Sequence, residues 1–373
     1  MHTVSILHTA DLHIGAQCNY LGVDSLNRRY ETLETFRKII NLCNENKVKL
    51  LLIAGDLFDS NHIEETFIDG VFDGFNSLKD TKVIIALGNH DPLTADSPFS
   101  YKEKGDNVYI LSSTDDVITF DDLHCRVYGC SFDGVYSSGS PRFSLIPKKD
   151  DYINLMVIHG EARADFKGNY RPITPEFVKM SGMDYIALGH VHKRSEIQAI
   201  GTTYLAYCGC PEGQGFDESG EKGVYMGEIS KGKADLEFVP TASRTHYCID
   251  VDITDSNDIC ETVKDAIIKT NDNYSRHFFR VTLKGKRSLG TMIDTAEITA
   301  KLSSLVPFIK IKDKTKSGVD LEALAEEKTL KGYFTALMLS KIDTAEESEK
   351  EKLLDALDLG LNCFDGEVTY SEN

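Results

Sequence analysis

The chain has 373 residues, with 41 Lys plus Arg against 59 Asp plus Glu and a formal charge of -18. This length predicts one large domain with a smaller one attached. No apolar run approaches the ~20 residues that cross a bilayer, nine scattered cysteines without a CxxC pair argue against a disulfide scaffold or zinc ribbon, and the acidic balance argues against a surface broadly built for nucleic acid.

The opening MHTVSILHTADLHIG lacks a basic start and carries Asp11 where a secretory leader would be apolar, so a cytoplasmic protein is expected. VSILHTA reads as a first strand and KLLLIAGD as a second. Between them, Leu26, Tyr30, Leu33, Phe36, Ile40 and Cys43 recur every three or four residues and predict a helix over 25–46 with that stripe facing the core. Phe67, Val71, Phe75 and Leu78 predict another over 63–79. KVIIALGN, VYIL, INLMVIHG and DYIALGH continue the strands, and 117–132 and 223–239 read as hairpins, the latter turning at SKGKAD. Cys208-Gly-Cys210 reads as a structural pair in a strand. The alternation describes a layered α/β domain with a strand-rich second layer, ending near Pro240.

Beyond Pro240 the order is strand HYCIDVDI, helix 256–270, strand HFFRVTLKGK, helix 294–304 and strand FIKIKD, a compact βαβαβ unit. Residues 313–373 read as helical, with Thr344-Ala-Glu-Glu347 as a capping box. This region carries 7 Lys plus Arg against 15 Asp plus Glu, which fits solvated helix faces or docking to a basic partner.

The strands of the large domain end in polar residues of one chemical kind. The first yields Asp11 and His13, the second Asp56, the third Asn89, His90 and Asp91, and later ones His159 and then His190 with His192. Ligand sites in α/β sheets gather at the carboxyl ends of strands, so these side chains can meet. Asp, Asn and His form an oxygen and nitrogen donor set suited to Mn, Fe or Zn. They exceed the needs of one tetrahedral ion and suit two ions sharing a carboxylate at ~3.5–4 Å. The histidines at 2, 8, 62, 124, 246 and 277 are read as structural or surface residues. Arg28, Arg29, Arg163, Lys167, Arg171, Lys193 and Arg194 read as solvated surface or as phosphate contacts, with Lys193 and Arg194 the best candidates because they follow two ligands.

In this order DLH, GDLFD, GNHD, HGE and GHVH resemble the motif series of the calcineurin-like metallophosphoesterases, across residues 11–192. ILHTADLHIGA, GCPEGQGFDESGEKGVY, the appended βαβαβ unit and DLEALAEEKTLKGYF resemble its DNA repair exonuclease branch, which includes the SbcD-type nucleases and YhaO-like relatives. The resemblance implies a four-layer αββα sandwich over 1–240, a βαβαβ cap over 245–312 and a helical C-terminal region over 313–373. It implies that Asp11, His13 and His192 hold one metal and that Asn89, His159 and His190 hold the other. Asp56 bridges them with one oxygen for each ion, His90 is the proton donor, and Asp91 orients it. Two divalent ions, two carboxylates and a bridging hydroxide leave about +1 at the site, so local attraction for a phosphodiester survives the acidic surface.

The implied activity is that of a Mn-dependent DNA nuclease in repair, with iron or zinc also fitting the donors. Its implied partners are DNA, an SMC-like ATPase of the SbcC or YhaN kind and a second copy joined through the early helices, with no membrane. Two alternatives stand beside it: the same metals acting on a small nucleotide-like phosphoester, which the acidic surface favours, and a non-catalytic binding subunit, which the intact ligand set disfavours.

Overall fold

The computed structural model describes residues 2–136, 147, 150–165, 167–287, 293–318 and 321–364. Two compact units divide the chain, residues 1–245 and 246–373.

The strands of the first unit are β1 (Thr3–Thr9), β2 (Leu50–Ile53), β3 (Lys82–Ile85), β4 (Val108–Ile110), β5 (Asp116–Phe120), β6 (Cys125–Cys130), β7 (Ile153–His159), β8 (Tyr185–Gly189), β9 (Gln198–Ile200), β10 (Thr203–Tyr207), β11 (Gly223–Ser230) and β12 (Lys233–Pro240). Its helices are α1 (Ser25–Glu45), α2 (Glu65–Asn76), α3 (Pro98–Tyr101) and α4 (Pro175–Ser181). One sheet has the order β12-β11-β1-β2-β3-β4 and the other β5-β6-β7-β8-β10-β9. In each, the central strands run parallel. The flanking β11, β12, β5 and β9 are antiparallel to their neighbours.

Every residue of β2, LLLI, is buried because both faces of its sheet are covered. Leu51 and Ile53 face α1 and α2, packing with Phe36, Ile40, Phe67 and Phe75. Leu50 and Leu52 face the second sheet, against Val127, Leu155 and Val157. On its outer side that sheet sends Met156, Ile158, Ile186 and Leu188 onto Phe177 and Val178 of α4. The result is a helix–sheet–sheet–helix sandwich. His8 crosses its middle, bonded to the Tyr185 hydroxyl at 2.9 Å and the Leu188 carbonyl at 3.2 Å. Burial pushes this imidazole down to about 3, so it stays neutral.

The stripe on α1 departs from its expected course at the start. Leu33, Phe36, Ile40 and Cys43 are buried, but Leu26 is 52% and Tyr30 42% exposed. The buried positions in that turn are Arg28 and Arg29. Arg28 donates to Glu31 at 2.9 Å, to the fully buried Glu212 at 2.7 Å and to the Gly213 carbonyl. Glu212 also accepts from Thr35 at 2.7 Å and from the Ser243 and Arg244 amides. A hydrophobic periodicity cannot anticipate this, because the partner carboxylate lies 184 residues away. Cys208 and Cys210 fall beyond the end of β10 in a turn where Gly209 has φ +72, and not in a strand as expected.

The second unit contains β13 (His246–Asp252), α5 (Ile259–Thr270), β14 (Phe278–Lys284), β15 (Lys286–Arg287), α6 (Thr295–Leu302), β16 (Phe308–Asp313), β17 (Lys316–Ser317), α7 (Leu321–Ala325), α8 (Leu330–Thr344) and α9 (Glu347–Phe364). The three long strands are parallel in the order β13-β14-β16. Phe279, Val281 and Leu283 pack beneath Val263, Ile267, Ile298 and Leu302 of α5 and α6. Helices α7, α8 and α9 share a separate cluster of Leu324, Met338, Ile342, Leu357 and Leu361. Thr344 ends α8, its hydroxyl donating to the Ser340 and Lys341 carbonyls at 3.1 and 3.2 Å, while the Glu347 side chain of the expected capping box lies outside the described residues. The last residues of the acidic region, 365–373, lie outside the described residues. No described helix is long and apolar enough to cross a membrane.

Removing a single member of a buried charge pair strands the other, at a cost of about 3–5 kcal/mol. Glu212→Ala is therefore expected to lower unfolding stability by about that amount, measured by urea denaturation, whereas Glu34→Ala on the exposed side of α1 should change it by less than about 0.5 kcal/mol.

Candidate metal centre

The parallel ends of β1 and β2 continue to pair after the strands stop: the Asp11 amide donates to the Gly55 carbonyl and that of His13 to the Asp56 carbonyl, each at 3.0 Å. Asp11, His13 and Asp56 have φ of +52, +45 and +50, and His190, just past β8, has +99. A non-glycine residue held there costs about 1–3 kcal/mol, a strain that concentrates at functional sites. The motif glycines make room. A Cβ at Gly88 would strike the Asp56 carboxylate, one at Gly55 the His159 ring, and one at Gly189 the Ala54 carbonyl.

Asp11, His13, Asp56, Asn89, His159, His190 and His192 are brought together. His13 Nε2 lies 3.1 Å from His192 Nε2 and 3.7 Å from Asp56 Oδ2. His159 Nε2 lies 3.0 Å from Asn89 Oδ1 and 3.4 Å from the same Asp56 Oδ2. Asp11 joins both groups, with its carboxylate within ligand range of His13 and His192 on one side and of Asp56 and His159 on the other. It also accepts from the His190 amide at 2.9 and 3.1 Å. The His190 ring meets that of His159 edge-on at 5.1 Å and lies 4.6 Å from Tyr170.

The other nitrogen of each ring explains why these donors fit cations. His159 Nδ1–H donates to the Ala54 carbonyl at 3.0 Å, so its Nε2 carries a lone pair toward the Asn89 oxygen. His13 donates from Nδ1 to Asp59 at 3.2 Å and His192 from Nδ1 to Glu218, so their Nε2 lone pairs face each other. An acceptor aimed at an acceptor favours a cation, a proton or a metal ion, between them. Donation of the remote N–H to a carboxylate or carbonyl is also what orients metal-ligating histidines. Asp56 departs from expectation: Oδ1 is occupied by the His90 amide at 2.9 Å, and only Oδ2 faces both groups.

The protonation states agree. Burial, with Asp56 alongside, pushes Asp11 up to about 7. Burial also acts to raise Asp56, but His159, His13 and His90 outweigh it and hold the carboxyl below its usual range. Burial acts to lower His13, yet Asp59, Asp56 and Asp11 prevail and raise it to about 9. His159 is driven down to about 4 by burial and is neutral. A proton thus sits on His13 Nε2 where a cation would sit.

Sequence reasoning missed Asp59 and Glu218. Both stand in quoted motifs, GDLFD and FDESGEKG, but two carboxylates that touch only the far side of imidazoles carry no ligand spacing of their own. Glu218 accepts from the Gln214 amide at 2.6 Å, and the His192 bond holds it down at about 2 against the opposing effect of burial. Lys222 donates to the His192 carbonyl at 2.9 Å.

Asp91 has a different task from the one expected. Its carboxylate accepts from the amides of Gly88 at 2.7 Å, Leu57 at 2.8 Å, and Asp56 and Phe58 at 3.2 Å, binding the β2 and β3 loops together. The orienting contact to His90 comes from Asp59, whose carbonyl lies 3.0 Å from His90 Nδ1. His90 itself is 45% exposed and meets the His13 ring edge-on at 4.6 Å. A pocket of about 300 Å³ opens beside Asp59, lined also by Gly15, Gln17, Arg29, His62 and Glu64.

Several of the basic candidates are engaged inside the fold. Arg28 and Arg29 pair with Glu212 and Glu64, Arg171 donates to the Cys130 and Ser131 carbonyls, and Arg163 pairs with Glu161. Lys193 is exposed, and Arg194 lies 4.1 Å above the Phe238 ring.

Comparison with known proteins adds independent findings. The calcineurin-like phosphoesterase family profile matches residues 4–194. The chain is 25% identical over 300 residues to the uncharacterized metallophosphoesterase YhaO of Bacillus subtilis, a match covering 76% of this chain and 72% of YhaO. It is 22% identical over 378 residues to the DNA double-strand break repair protein Mre11 of Sulfurisphaera tokodaii, covering 96% and 93%. To Mre11 of Methanopyrus kandleri it is 25% identical over 256 residues, covering 62% and 56%.

A cation entering beside His13 and Asp11 must displace protons. Mn²⁺ affinity is therefore expected to rise with pH through the interval from about 7 to about 9 and to level off above it, with proton release at pH 7 visible by calorimetry in buffers of different ionisation enthalpy. An affinity independent of pH across that interval would contradict the assignment. Glu218→Gln is expected to weaken Mn²⁺ binding about 10- to 100-fold without unfolding the chain.

Proposed function

The chain belongs to the calcineurin-like phosphoesterase family and is a metal-dependent phosphoester hydrolase, and from that premise we propose that it is a Mn-dependent nuclease acting on DNA. The observation that carries the reading is the paired set of facing lone pairs around Asp56 Oδ2, with a solvent-facing imidazole, His90, beside it. Similarity to Mre11 proteins over nearly the whole chain supports DNA as the substrate class.

Asp11, His13 and His192 would hold one ion, Asn89, His159 and His190 the other, and Asp56 would serve both. When bound, two such ions activate water and neutralise phosphoryl oxygens. His90 Nδ1–H is held by the Asp59 carbonyl, which leaves Nε2 to carry the proton given to the departing 3′ or 5′ oxygen. Lys193, and Arg194 stacked on Phe238, would contact flanking phosphates.

The partner is an ATPase of the SMC-like class. In its support, α8 leaves Leu330, Tyr333 and Leu337 at 75%, 67% and 58% exposure, at the spacing of one helix face. Leu26 and Tyr30 would meet a second copy of the chain. The engagement of Arg28, Arg29 and Arg171 inside the fold favours the second reading, a small nucleotide-like phosphoester, because fewer cations remain to track a polymer.

The deciding experiment incubates the chain with Mn²⁺ and end-labelled duplex and single-stranded DNA, beside an aryl phosphodiester and an Asp56→Ala control. DNA degradation absent from the control is the expected result; turnover of the aryl diester with DNA left intact would favour the small substrate. His90→Ala is expected to retain its metal and lose about 10²–10⁴ in diester cleavage. Metal lost together with activity would make His90 a ligand, which its proximity to His13 and Asp56 allows.

A further inference from the structure

At the end of the sandwich opposite the metal centre, three residues from separate segments converge. His2 immediately precedes β1, His124 precedes β6, and Asp151 lies two residues before β7. The seven residues of β1 alone place this cluster about 20 Å from Asp11. We propose that His2, His124 and Asp151 form a second, separate metal site for a divalent cation of the zinc class, which staples the start of β1 in one sheet to β6 and β7 in the other.

The donor atoms of all three lie within 4.8 Å of one another. Zn–N and Zn–O bonds of about 2.1 Å place two ligands no more than about 4.2 Å apart, so closure requires a shift of about half an ångström. His2 is exposed and free to supply it, whereas His124 is fixed. The His124 ring is stacked between His2, with centroids at 4.1 Å, and Tyr152, at 4.0 Å. Its backbone has φ +50, a left-handed conformation that directs the ring into this position.

The state of His124 Nε2 points to a ligand. It pairs with Asp151 Oδ1 at 3.0 Å and is shielded from water. With no water in reach, that nitrogen depends on Asp151 alone, and a cation between the two would serve both. The neighbouring carboxylates are already taken, Asp150 by Arg126 and Asp121 by the Tyr152 hydroxyl, which leaves Asp151 as the carboxylate facing the imidazoles. Two imidazoles and a carboxylate are borderline donors that suit Zn²⁺ over Mg²⁺ or Ca²⁺, and they leave one position for water.

The test is zinc stoichiometry on the untagged full chain, comparing the wild type with His2→Ala, His124→Ala and Asp151→Asn. None of these residues touches the catalytic ligands, so any difference reports this site. At micromolar free zinc, the wild type is expected to hold one equivalent more than each variant, with unchanged aryl phosphodiester turnover in Mn²⁺ and a zinc-dependent rise in melting temperature that the variants lose. Co²⁺ should give visible d–d bands of which one set disappears in the variants. His2→Ala, on an exposed residue at the edge of the fold, keeps the test valid if His124→Ala fails to fold. Equal stoichiometry in wild type and His2→Ala would overturn the proposal. So would a difference that appears only at millimolar zinc, which marks adventitious binding, or a loss of more than one equivalent.

Discussion

Two buried carboxylates, Asp11 and Asp56, share an envelope with the lone pairs of three imidazoles and an amide oxygen, and the rest of the first unit is arranged around that electrostatic demand. A packed interior does not tolerate such a set in isolation: burial lifts Asp11 toward neutrality and a proton settles on His13. The fold does not relieve the demand with countercharged arginines. Arg28, Arg29 and Arg171 are nearby in sequence to the motifs but are spent on Glu212, Glu64 and backbone carbonyls. What remains is a cluster of oxygen and nitrogen donors whose demand a cation would meet.

Holding these donors in place is costly, and the cost is met by backbone rather than by hydrophobic packing. Three aspartate and histidine residues on the β1 and β2 loops, and His190 beyond β8, occupy left-handed conformations. Asp91 offsets the strain at β2 by gathering four amide donors, a task for which a carboxylate with two oxygens is well suited. The histidines are fixed from behind: His159 by the Ala54 carbonyl, His13 by Asp59 and His192 by Glu218. Each of these bonds joins segments far apart in the chain, so the centre exists only when both sheets have docked.

Much of this was legible in the sequence. Strand ends terminating in Asp, His and Asn point to the side chains that converge, because the two-residue alternation of a strand and the turn after it are local properties. The βαβαβ order beyond Pro240 was legible for the same reason. The misread features are all non-local. Leu26 and Tyr30 continue a helical stripe whose first turn is taken over by Arg28 and its distant partner Glu212. Asp91 adjoins His90 in sequence but turns to the amides of 56–58, and Asp56 spends one oxygen on the His90 amide. Glu218 could be found only by asking what orients His192.

The loop from Glu212 to Glu218 shows where sequence change is costly in this molecule. Glu212 accepts from Arg28, Thr35 and the Ser243 and Arg244 amides, Gln214 reaches the Leu12 and His13 carbonyls at 3.3 Å, and Glu218 orients His192. The core strands, by contrast, consist of Leu, Ile and Val, whose volume-conserving exchanges usually cost less than about 1.5 kcal/mol. Substitution in this loop is therefore expected to cost at least as much as a volume-conserving exchange in the core. The strands can exchange aliphatic residues of similar volume at modest cost, whereas changes at Glu212, Gln214 or Glu218, in a partly buried segment with no helix or strand of its own, would each loosen a different neighbour: α1, the end of β1 or His192.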